Sequence, residues 1–245
     1  MDNLKNILFI RSDRFGEFLL NLPAIKLVRL NYPKSKILVL AKKENIELIK
    51  GLDFVDCFLE YGEAEFSGYS VIFRLAKLFR KEQIDCVICL NPKKEFHLAS
   101  FLARVRLRLG YNRKWPWCLN KKIEDKKFLA DKHEVEYNID LVKLICKDAF
   151  IPEIELPIDS RDSLAFLKEA IDVNKDYIVI HPFTSNPAKE IEHMFWKSLA
   201  AEIKKKCNRD ILVIGGPQEK EESIDFAKQI NAKNVTGRLD RKSVV

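Results

Sequence analysis

The residues best suited to chemistry lie in a short charged turn near the amino terminus, Arg11-Ser-Asp-Arg-Phe-Gly-Glu17. An apolar run precedes this turn and an amphipathic stretch follows it, which predicts a strand-to-helix connection. In an open α/β sheet such connections lie at the carboxyl edge, where ligands bind. Glu17, at the predicted helix start, is a carboxylate that could act as a general base. Its simpler interpretation is that it complements the helix dipole. Asp13 is the second carboxylate available to act as the base.

The same turn carries two cations and a glycine. Arg11 and Arg14 could bind phosphate or carboxylate groups through forked hydrogen bonds. Taken alone, both are equally consistent with solvent-exposed loop charges. Gly16 allows the backbone to approach a ligand closely, and a helix N-terminus favours negative charge. The turn therefore predicts an anionic ligand beside a candidate base.

A second candidate turn is His181-Pro-Phe-Thr-Ser-Asn-Pro-Ala-Lys189, which follows another apolar run. Backbone amides and the hydroxyls of Thr184 and Ser185 could orient the oxygens of a diphosphate, and Lys189 could supply a positive charge. A structural role in the turn is the favoured interpretation of His181.

A third turn, Ile214-Gly-Gly-Pro-Gln-Glu219, also joins a predicted strand to a predicted helix. Gly215 and Gly216 would admit close approach of a ligand, although the pattern is not the G-x-G-x-x-G of dinucleotide-binding proteins. An NAD-dependent oxidoreductase is disfavoured for the same reason, since no such pattern follows the first strand. On its own this turn is weak support for any ligand.

Cys86 and Cys89 form a C-x-x-C pair, which raises redox or zinc chemistry as alternatives. Both lie within an apolar run that reads as a strand, so their side chains should point to opposite faces. No second pair stands at a spacing that would complete a zinc site. We therefore predict buried, unreactive thiols, no metal site and no cofactor.

Strands and helices are predicted to alternate throughout, which indicates parallel sheets covered on both faces. The predicted fold class is α/β, with two doubly wound, Rossmann-like domains at residues 1–150 and 151–245, the second incomplete. The segment Phe150–Pro157 is the predicted linker. The predicted strands are Ile7–Arg11, Lys36–Ala41, Cys57–Glu60, Asp85–Leu90, Arg106–Gly110, Tyr177–Pro182, Ile211–Pro217 and Asn234–Thr236. The predicted helices are Glu17–Leu30, Lys43–Lys50, Val71–Lys81, Lys94–Ala103, Glu134–Cys146, Arg161–Ile171, Ile191–Cys207 and Lys220–Ile230.

Composition narrows the class of protein. The chain has 245 residues, of which 47% are hydrophobic and 32% charged, and this composition is that of a folded globular protein. It lacks an apolar run of about 18 residues and a signal-peptide pattern, which predicts a cytoplasmic location. The net charge of +7 fits nucleic acid, an anionic membrane surface or a phosphorylated substrate. No nucleic acid partner is predicted, because RNA- and DNA-binding signatures are absent.

The turn Arg-x-Asp-Arg-x-Gly-Glu, followed by Pro23, resembles the opening motif of the heptosyltransferase family (glycosyltransferase family 9). The Gly-Gly-Pro turn at Gly215 and the strand ending in Gly237 resemble later motifs of that family, in the same order. The run from Asp85 to Tyr111 and the segment His133 to Asn138 add two further matches. The resemblance therefore covers essentially the whole chain.

This resemblance implies a GT-B-like fold and inverting transfer of heptose from ADP-heptose to a Kdo or heptose acceptor of the lipopolysaccharide core. It implies that Glu17 stands where the family usually has an aspartate base, with Asp13 as the alternative. Peripheral contact with the inner face of the inner membrane is expected as well. The implied acceptor-side residues are Arg11, Arg14 and Gly16, and the implied donor-side residues are Thr184, Ser185, Lys189, Gly215 and Gly216.

Family members continue into a turn of Asp, then Ser or Thr, then Gly-Pro-x-His. The sequence reaches Val245 without that turn. A C-terminally truncated enzyme is therefore expected. The alternative is a catalytically inactive remnant, or a fragment that only binds nucleotide-sugar.

Overall fold

A computed structural model describes residues 4–62, 70–156, 168, 171–172, 174–184, 186–207 and 209–238. The chain divides into two compact units, Met1–Pro157 and Ile158–Val245. The predicted linker belongs to the first unit, because Ile154 and Leu156 pack against its core. In addition, Lys26 Nζ donates a hydrogen bond to the carbonyl of Glu153 at 2.7 Å.

The first unit is built on a six-stranded parallel sheet in the order β3-β2-β1-β4-β5-β6. Its strands are β1 Asn6–Ile10, β2 Lys36–Ala41, β3 Cys57–Glu60, β4 Cys86–Cys89, β5 Leu107–Tyr111 and β6 Lys121–Ile123. The chain order reverses between β1 and β4. In doubly wound sheets, ligands bind at the carboxyl edge beside this reversal.

Helices cover both faces of this sheet. They are α1 Phe15–Leu19, α2 Leu22–Asn31, α3 Lys43–Ile49, α4 Ser70–Lys81, α5 Lys94–Leu102 and α6 Glu134–Val142. One core contains Ile7 and Phe9 with α2 and α6, and the other contains Leu8 and Ile10 with α4 and α5. The alternation along β1 fills both cores, so the doubly wound architecture predicted from the sequence is confirmed.

The thiols of Cys86 and Cys89 follow the same alternation. Cys86 lies in the first core and Cys89 in the second, and both are fully buried. Burial raises the pKa of each thiol well above its ordinary value, which keeps it protonated. The prediction that the two thiols are buried on opposite faces is confirmed, and their lack of reactivity stays a prediction.

The second unit contains three parallel strands in the order β7-β8-β9 among its described residues. They are β7 Tyr177–Ile180, β8 Asp210–Val213 and β9 Lys233–Asn234, with helices α7 His193–Cys207 and α8 Lys220–Gln229. Ile180, Ile211, Val213 and Phe226 form its core. The helix predicted at Arg161–Ile171 lies outside the described residues, apart from Lys168 and Ile171.

One local prediction was wrong, and one strand was missed. The single helix predicted at Glu17–Leu30 is divided between α1 and α2, because Pro23 lacks the N–H that a continuous helix needs. The Asn21 side chain donates instead to the carbonyls of Glu17 and Phe18. The edge strand β6 was missed because three residues, two of them lysines, show no apolar alternation. Short, lysine-bearing edge strands discourage pairing with another sheet.

Across the described ranges, we find no helix that combines the length and the apolar character needed to span a membrane.

Candidate active site

A pocket of about 270 Å³ lies at the carboxyl edge of the first sheet, where the loops after β1, β4 and β5 meet. Its wall contains three residues predicted from the first turn, namely Arg11, Asp13 and Glu17. Tyr111 and Glu134 line the pocket as well, together with Asn91, Arg113, Asp125 and Lys127. The pocket is therefore bounded by several acidic and basic side chains.

Arg11 is 5% exposed and forms part of the pocket framework. Its Nε donates to Asp13 Oδ1 at 2.6 Å, and its Nη1 donates to the carbonyl of Leu90 at 3.1 Å. The same Nη1 lies 3.5 Å from Glu134 Oε1. These contacts tie the first loop to β4 and α6, and they engage two of the three guanidinium nitrogens.

The two candidate carboxylates have different surroundings. Asp13 accepts the hydrogen bond from Arg11, so its charge is already balanced. Glu17 lies in the first turn of α1, and its Oε2 is buried with no hydrogen-bond partner among the described residues. A buried acceptor without a donor costs about 1–3 kcal/mol. A substrate hydroxyl that donated to this oxygen would remove that cost.

Arg14 and Gly16 are not part of the pocket wall. Arg14 is exposed and precedes α1, where its carbonyl accepts the N–H of Phe18 at 3.0 Å. Gly16 is exposed too, and a Cβ built on it would meet nothing within 4 Å. The structure thus brings three of the five first-turn residues together and leaves these two on the outer side of the turn.

Lys127 and Glu134 were missed by the sequence reasoning. Lys127 Nζ donates to Glu134 Oε1 and, at 3.1 Å, to Asn138 Oδ1. It also lies 4.4 Å from the centre of the Tyr111 ring. Burial lowers the pKa of Lys127, while the neighbouring Glu134 acts in the opposite direction.

A signal for Glu134 was present in the sequence. His133 caps α6 by accepting from the N–H of Val135, and Glu136 accepts from the N–H of His133. This reciprocal pattern marks a helix start, and it places Glu134 in the first turn. Lys127 offers no comparable signal, because its partners are brought to it only by the fold.

The turns after β7, β8 and β9 meet at the carboxyl edge of the second sheet. A Cβ on Gly215 would lie 2.9 Å from both Phe183 Cδ2 and Thr236 Cγ2, so only glycine fits between them. The N–H of Gly237 donates to the carbonyl of Gly215 at 3.0 Å, and Gly237 has a φ of 68°. Gly215 and Gly237 therefore let the three turns pack against one another.

The other residues predicted at the donor side occupy these turns. Thr184 and Lys189 are exposed, and Thr184 Oγ1 accepts from the N–H of Asn186 at 3.2 Å. The N–H of Gly216 donates to the carboxylate of Glu219. Ser185 lies outside the described residues.

Thr236 is a polar residue of these turns that the candidate site did not include. It is 2% exposed, and its Oγ1 has no hydrogen-bond partner in the part of the chain that the structure describes. It stands immediately before Gly237, at the end of the third turn.

Comparisons with known proteins identify the family. Residues 72–245 match the sequence model of glycosyltransferase family 9 (heptosyltransferase). A protein of Haemophilus influenzae that carries a provisional glycosyltransferase name is 22% identical over 239 residues, which are 93% of this chain and 68% of that protein.

Solved structures show the same fold. A family 9 glycosyl transferase from Veillonella parvula aligns with a TM-score of 0.81 at 16% identity, covering 99% of this chain and 73% of that one. For the ADP-heptose lipopolysaccharide heptosyltransferase II of E. coli the TM-score is 0.73 at 17% identity, with 98% and 75% covered. For the E. coli heptosyltransferase WaaC with ADP it is 0.67 at 17% identity, with 98% and 77% covered. These likenesses confirm the GT-B-like α/β fold, and the family match spans well over half of the sequence. The chain therefore belongs to glycosyltransferase family 9, the heptosyltransferase family.

Proposed function

We propose that this chain transfers heptose from ADP-heptose to a Kdo or heptose residue of the lipopolysaccharide core, with inversion at the anomeric carbon. The proposal is supported by the family and by solved relatives described as heptosyltransferases. WaaC of E. coli has been solved with ADP and with ADP-2-deoxy-2-fluoro heptose, which favours an ADP-sugar donor here.

The observation that carries the proposal is the environment of Glu17. Its carboxylate lines the first-unit pocket, and its buried Oε2 has no hydrogen-bond donor among the described residues. An acceptor hydroxyl bound in this pocket would donate to that oxygen and so be oriented for proton transfer. Asp13 is a weaker candidate for the base, because Arg11 already donates to it at 2.6 Å.

In the proposed reaction, Glu17 takes the proton of the acceptor hydroxyl as its oxygen attacks the anomeric carbon of the donor. The new glycosidic bond forms on the face opposite ADP, and the bond between that carbon and the diphosphate oxygen breaks. ADP leaves with the electron pair. The positive charge of Lys189 and donors on the second-unit turns would stabilise the leaving diphosphate. The proposed donor residues are Thr184, Ser185, Lys189, Gly215 and Gly216.

The first unit would bind the acceptor. Arg113 and Lys127 line the pocket, paired with Asp125 and Glu134, and an acceptor carboxylate such as that of a Kdo residue would bind by sharing these two cations. Arg11 would position Asp13 and the loop after β1, with Arg14 and Gly16 forming the outer side of the same turn. The second unit would bind the nucleotide-sugar.

The test compares Glu17→Gln with the native chain in a transfer assay and a separate ADP-heptose binding assay. Loss of a general base should lower kcat by about 10²–10⁴-fold. Donor Kd should change little, since Glu17 belongs to the acceptor pocket. Asp13→Asn should lower kcat less, and Glu47→Gln, an exposed glutamate on α3, is the matched control.

Equal kcat in the native chain and Glu17→Gln would contradict the base assignment. If the native chain binds ADP-heptose but transfers nothing to any Kdo or heptose acceptor, the binding-only alternative replaces the proposed activity.

A further inference from the structure

A stretch of one charge sign runs to the β6 edge of the first sheet, and of its residues only Tyr111 and Arg113 line the candidate active site. Residues 96–123 contain seven arginines and lysines and no aspartate or glutamate. They span the end of α5, all of β5 and the edge strand β6. Charges scattered over an ordinary solvated surface are mixed in sign, whereas this stretch carries positive charges alone. It therefore gives one side of the first unit a basic surface.

Three exposed aromatic side chains lie on the same surface. The rings of Phe101 and Trp117 meet edge to face with centres 5.5 Å apart, and Trp115 lies 6.3 Å from Trp117. Trp117 is 60% exposed, Phe101 42% and Trp115 37%. A cluster of large exposed aromatic rings on a folded protein indicates an interaction surface.

Arginines lie beside the Phe101 ring. Arg80, Arg104, Arg106 and Arg108 line an open cavity of about 600 Å³ beside Phe101. The guanidinium of Arg108 lies 5.6 Å from the centre of the Phe101 ring. Together, these seven residues form the aromatic–basic patch, which consists of Arg80, Phe101, Arg104, Arg106, Arg108, Trp115 and Trp117.

The backbone at Trp115 has an unusual conformation. Lys114 and Trp115 have φ values of 53° and 64°, which large side chains rarely adopt. The fully buried His97 supports this turn through its Nδ1, which lies 2.8 Å from the carbonyl of Lys114. The exposed position of Trp115 is therefore fixed by the fold.

We propose that the aromatic–basic patch binds the surface of an anionic phospholipid bilayer. Tryptophan rings are favoured at the headgroup level of membranes, and arginine and lysine are attracted to anionic lipids. A single-stranded nucleic acid would need open ring faces for base stacking. Here cations already cover faces of two of the rings, with Arg108 lying 5.6 Å from the centre of Phe101 and Lys94 Nζ 5.3 Å from the centre of Trp115.

This inference does not depend on the proposed reaction, because no patch residue lines the active-site pocket. Membrane binding can therefore be measured without donor or acceptor. Failure of the transfer assay would leave it intact, and failure of membrane binding would leave the assignment of Glu17 intact.

The test is co-sedimentation of the whole chain with vesicles of phosphatidylcholine alone or with about 30% phosphatidylglycerol. We expect binding at least about tenfold tighter to the anionic vesicles, weakening as salt shortens the screening length. Trp115→Ala/Trp117→Ala should bind at least about tenfold more weakly. Arg104→Gln/Arg106→Gln removes two exposed charges of the patch, each expected to contribute about fivefold.

Matched controls change exposed residues elsewhere on the first unit. Leu30→Ala/Phe150→Ala removes two apolar side chains that are each 53% exposed, and Lys34→Gln/Lys50→Gln removes two exposed charges. Both should bind within about twofold of the native chain, apart from the general effect of lower net charge.

Equal binding to neutral and anionic vesicles would overturn the proposal. So would vesicle binding that survives both patch variants after circular dichroism has shown them folded. Binding of an RNA or acidic protein that depends on the patch, with no vesicle binding, would assign the surface to that partner instead.

Discussion

The ion network of Arg11, Lys127 and Glu134 in the pocket wall gives a quantitative prediction for the stability of the first unit. Glu134 lies between two cations, accepting from Lys127 and standing 3.5 Å from Arg11. Glu134→Gln keeps the size of the side chain and removes its charge. Lys127 then loses the carboxylate that balances its charge in a partly buried site, while Arg11 keeps Asp13, so the first unit should lose stability.

The expected loss is about 2 kcal/mol. A hydrogen bond to a charged group contributes about 1.5–3 kcal/mol. We take a value below the middle of that range because the side chains of Lys127 and Glu134 are 22% and 24% exposed, and solvent screens them in part. The more distant contact with Arg11 adds a smaller amount. For a unit of this length, the melting temperature should fall by about 4–8 °C.

The assay is urea denaturation of four chains: native, Glu134→Gln, Lys127→Met and the double variant. The coupling energy between the two sites should be about 1–2 kcal/mol. Glu124→Gln is the charge-matched control, because Glu124 is exposed and accepts from the neutral Asn112 side chain. It should change stability by less than about 0.5 kcal/mol.

The pH dependence gives a second readout of the same network. The folded-state pKa of Lys127 lies below its ordinary 10.5, so between the two values the unfolded chain binds more protons and stability rises with pH. Glu134 raises the pKa of Lys127, so its removal lowers that pKa further. The pH range in which stability rises with pH then extends to lower pH. The stability deficit of Glu134→Gln should therefore shrink as the pH rises towards 10.5, the ordinary pKa of a lysine. A coupling energy near zero, or a deficit independent of pH, would refute the reasoning.

Two further predictions concern packing and ionisation. Gly215→Ala should destabilise the second unit by about 1–3 kcal/mol, because its Cβ would lie 2.9 Å from Phe183 and Thr236. Hydrogen exchange should show faster opening there, whereas Gly16→Ala, with nothing within 4 Å, should not affect stability by more than about 1 kcal/mol. Burial raises the pKa of Cys86 and Cys89 above their usual 9.0, because the folded state favours the neutral thiols. Their contribution to the free energy of unfolding is therefore fully present below pH 9.0 and is lost progressively above it, as the unfolded chain ionises. The free energy of unfolding measured in urea should fall above pH 9 by about 1.4 kcal/mol per pH unit for each thiol. A Cys86→Ala/Cys89→Ala chain whose free energy falls as steeply would contradict this cause.

Much of the fold followed from local pattern. The buried run at β1 and the alternation of later strands and helices were sufficient to predict the first sheet, because each element is marked by residues near it in sequence. The short edge strand β6 and the division between α1 and α2 were not predicted. The three residues of β6 carry no apolar alternation, and the break between the helices depends on Pro23 and on hydrogen bonds from Asn21.

The candidate site was less predictable, because its charges meet across long stretches of chain. Arg11 reads as a loop residue facing solvent, yet the carbonyl of Leu90 and the carboxylate of Glu134 bury it. No local pattern in the first turn reveals partners about 80 and 120 positions away. Lys127 was missed on the same grounds, whereas the capping pattern at His133 made the helix start of Glu134 detectable.

The difference between the two pocket carboxylates is a consequence of these long-range contacts. Asp13 could serve as a base only by accepting a proton while Arg11 donates to it at 2.6 Å, which would sacrifice the ion pair that fixes the loop. The Oε2 atom of Glu17 is buried beside the pocket and accepts no hydrogen bond from the described residues, so protonation of Glu17 there would break no such contact. Two carboxylates four positions apart are thus assigned different tasks by what surrounds them. If Glu17 is the base, its longer side chain needs no rearrangement of Arg11, so Asp13→Asn should weaken the loop while Glu17→Gln should leave it intact.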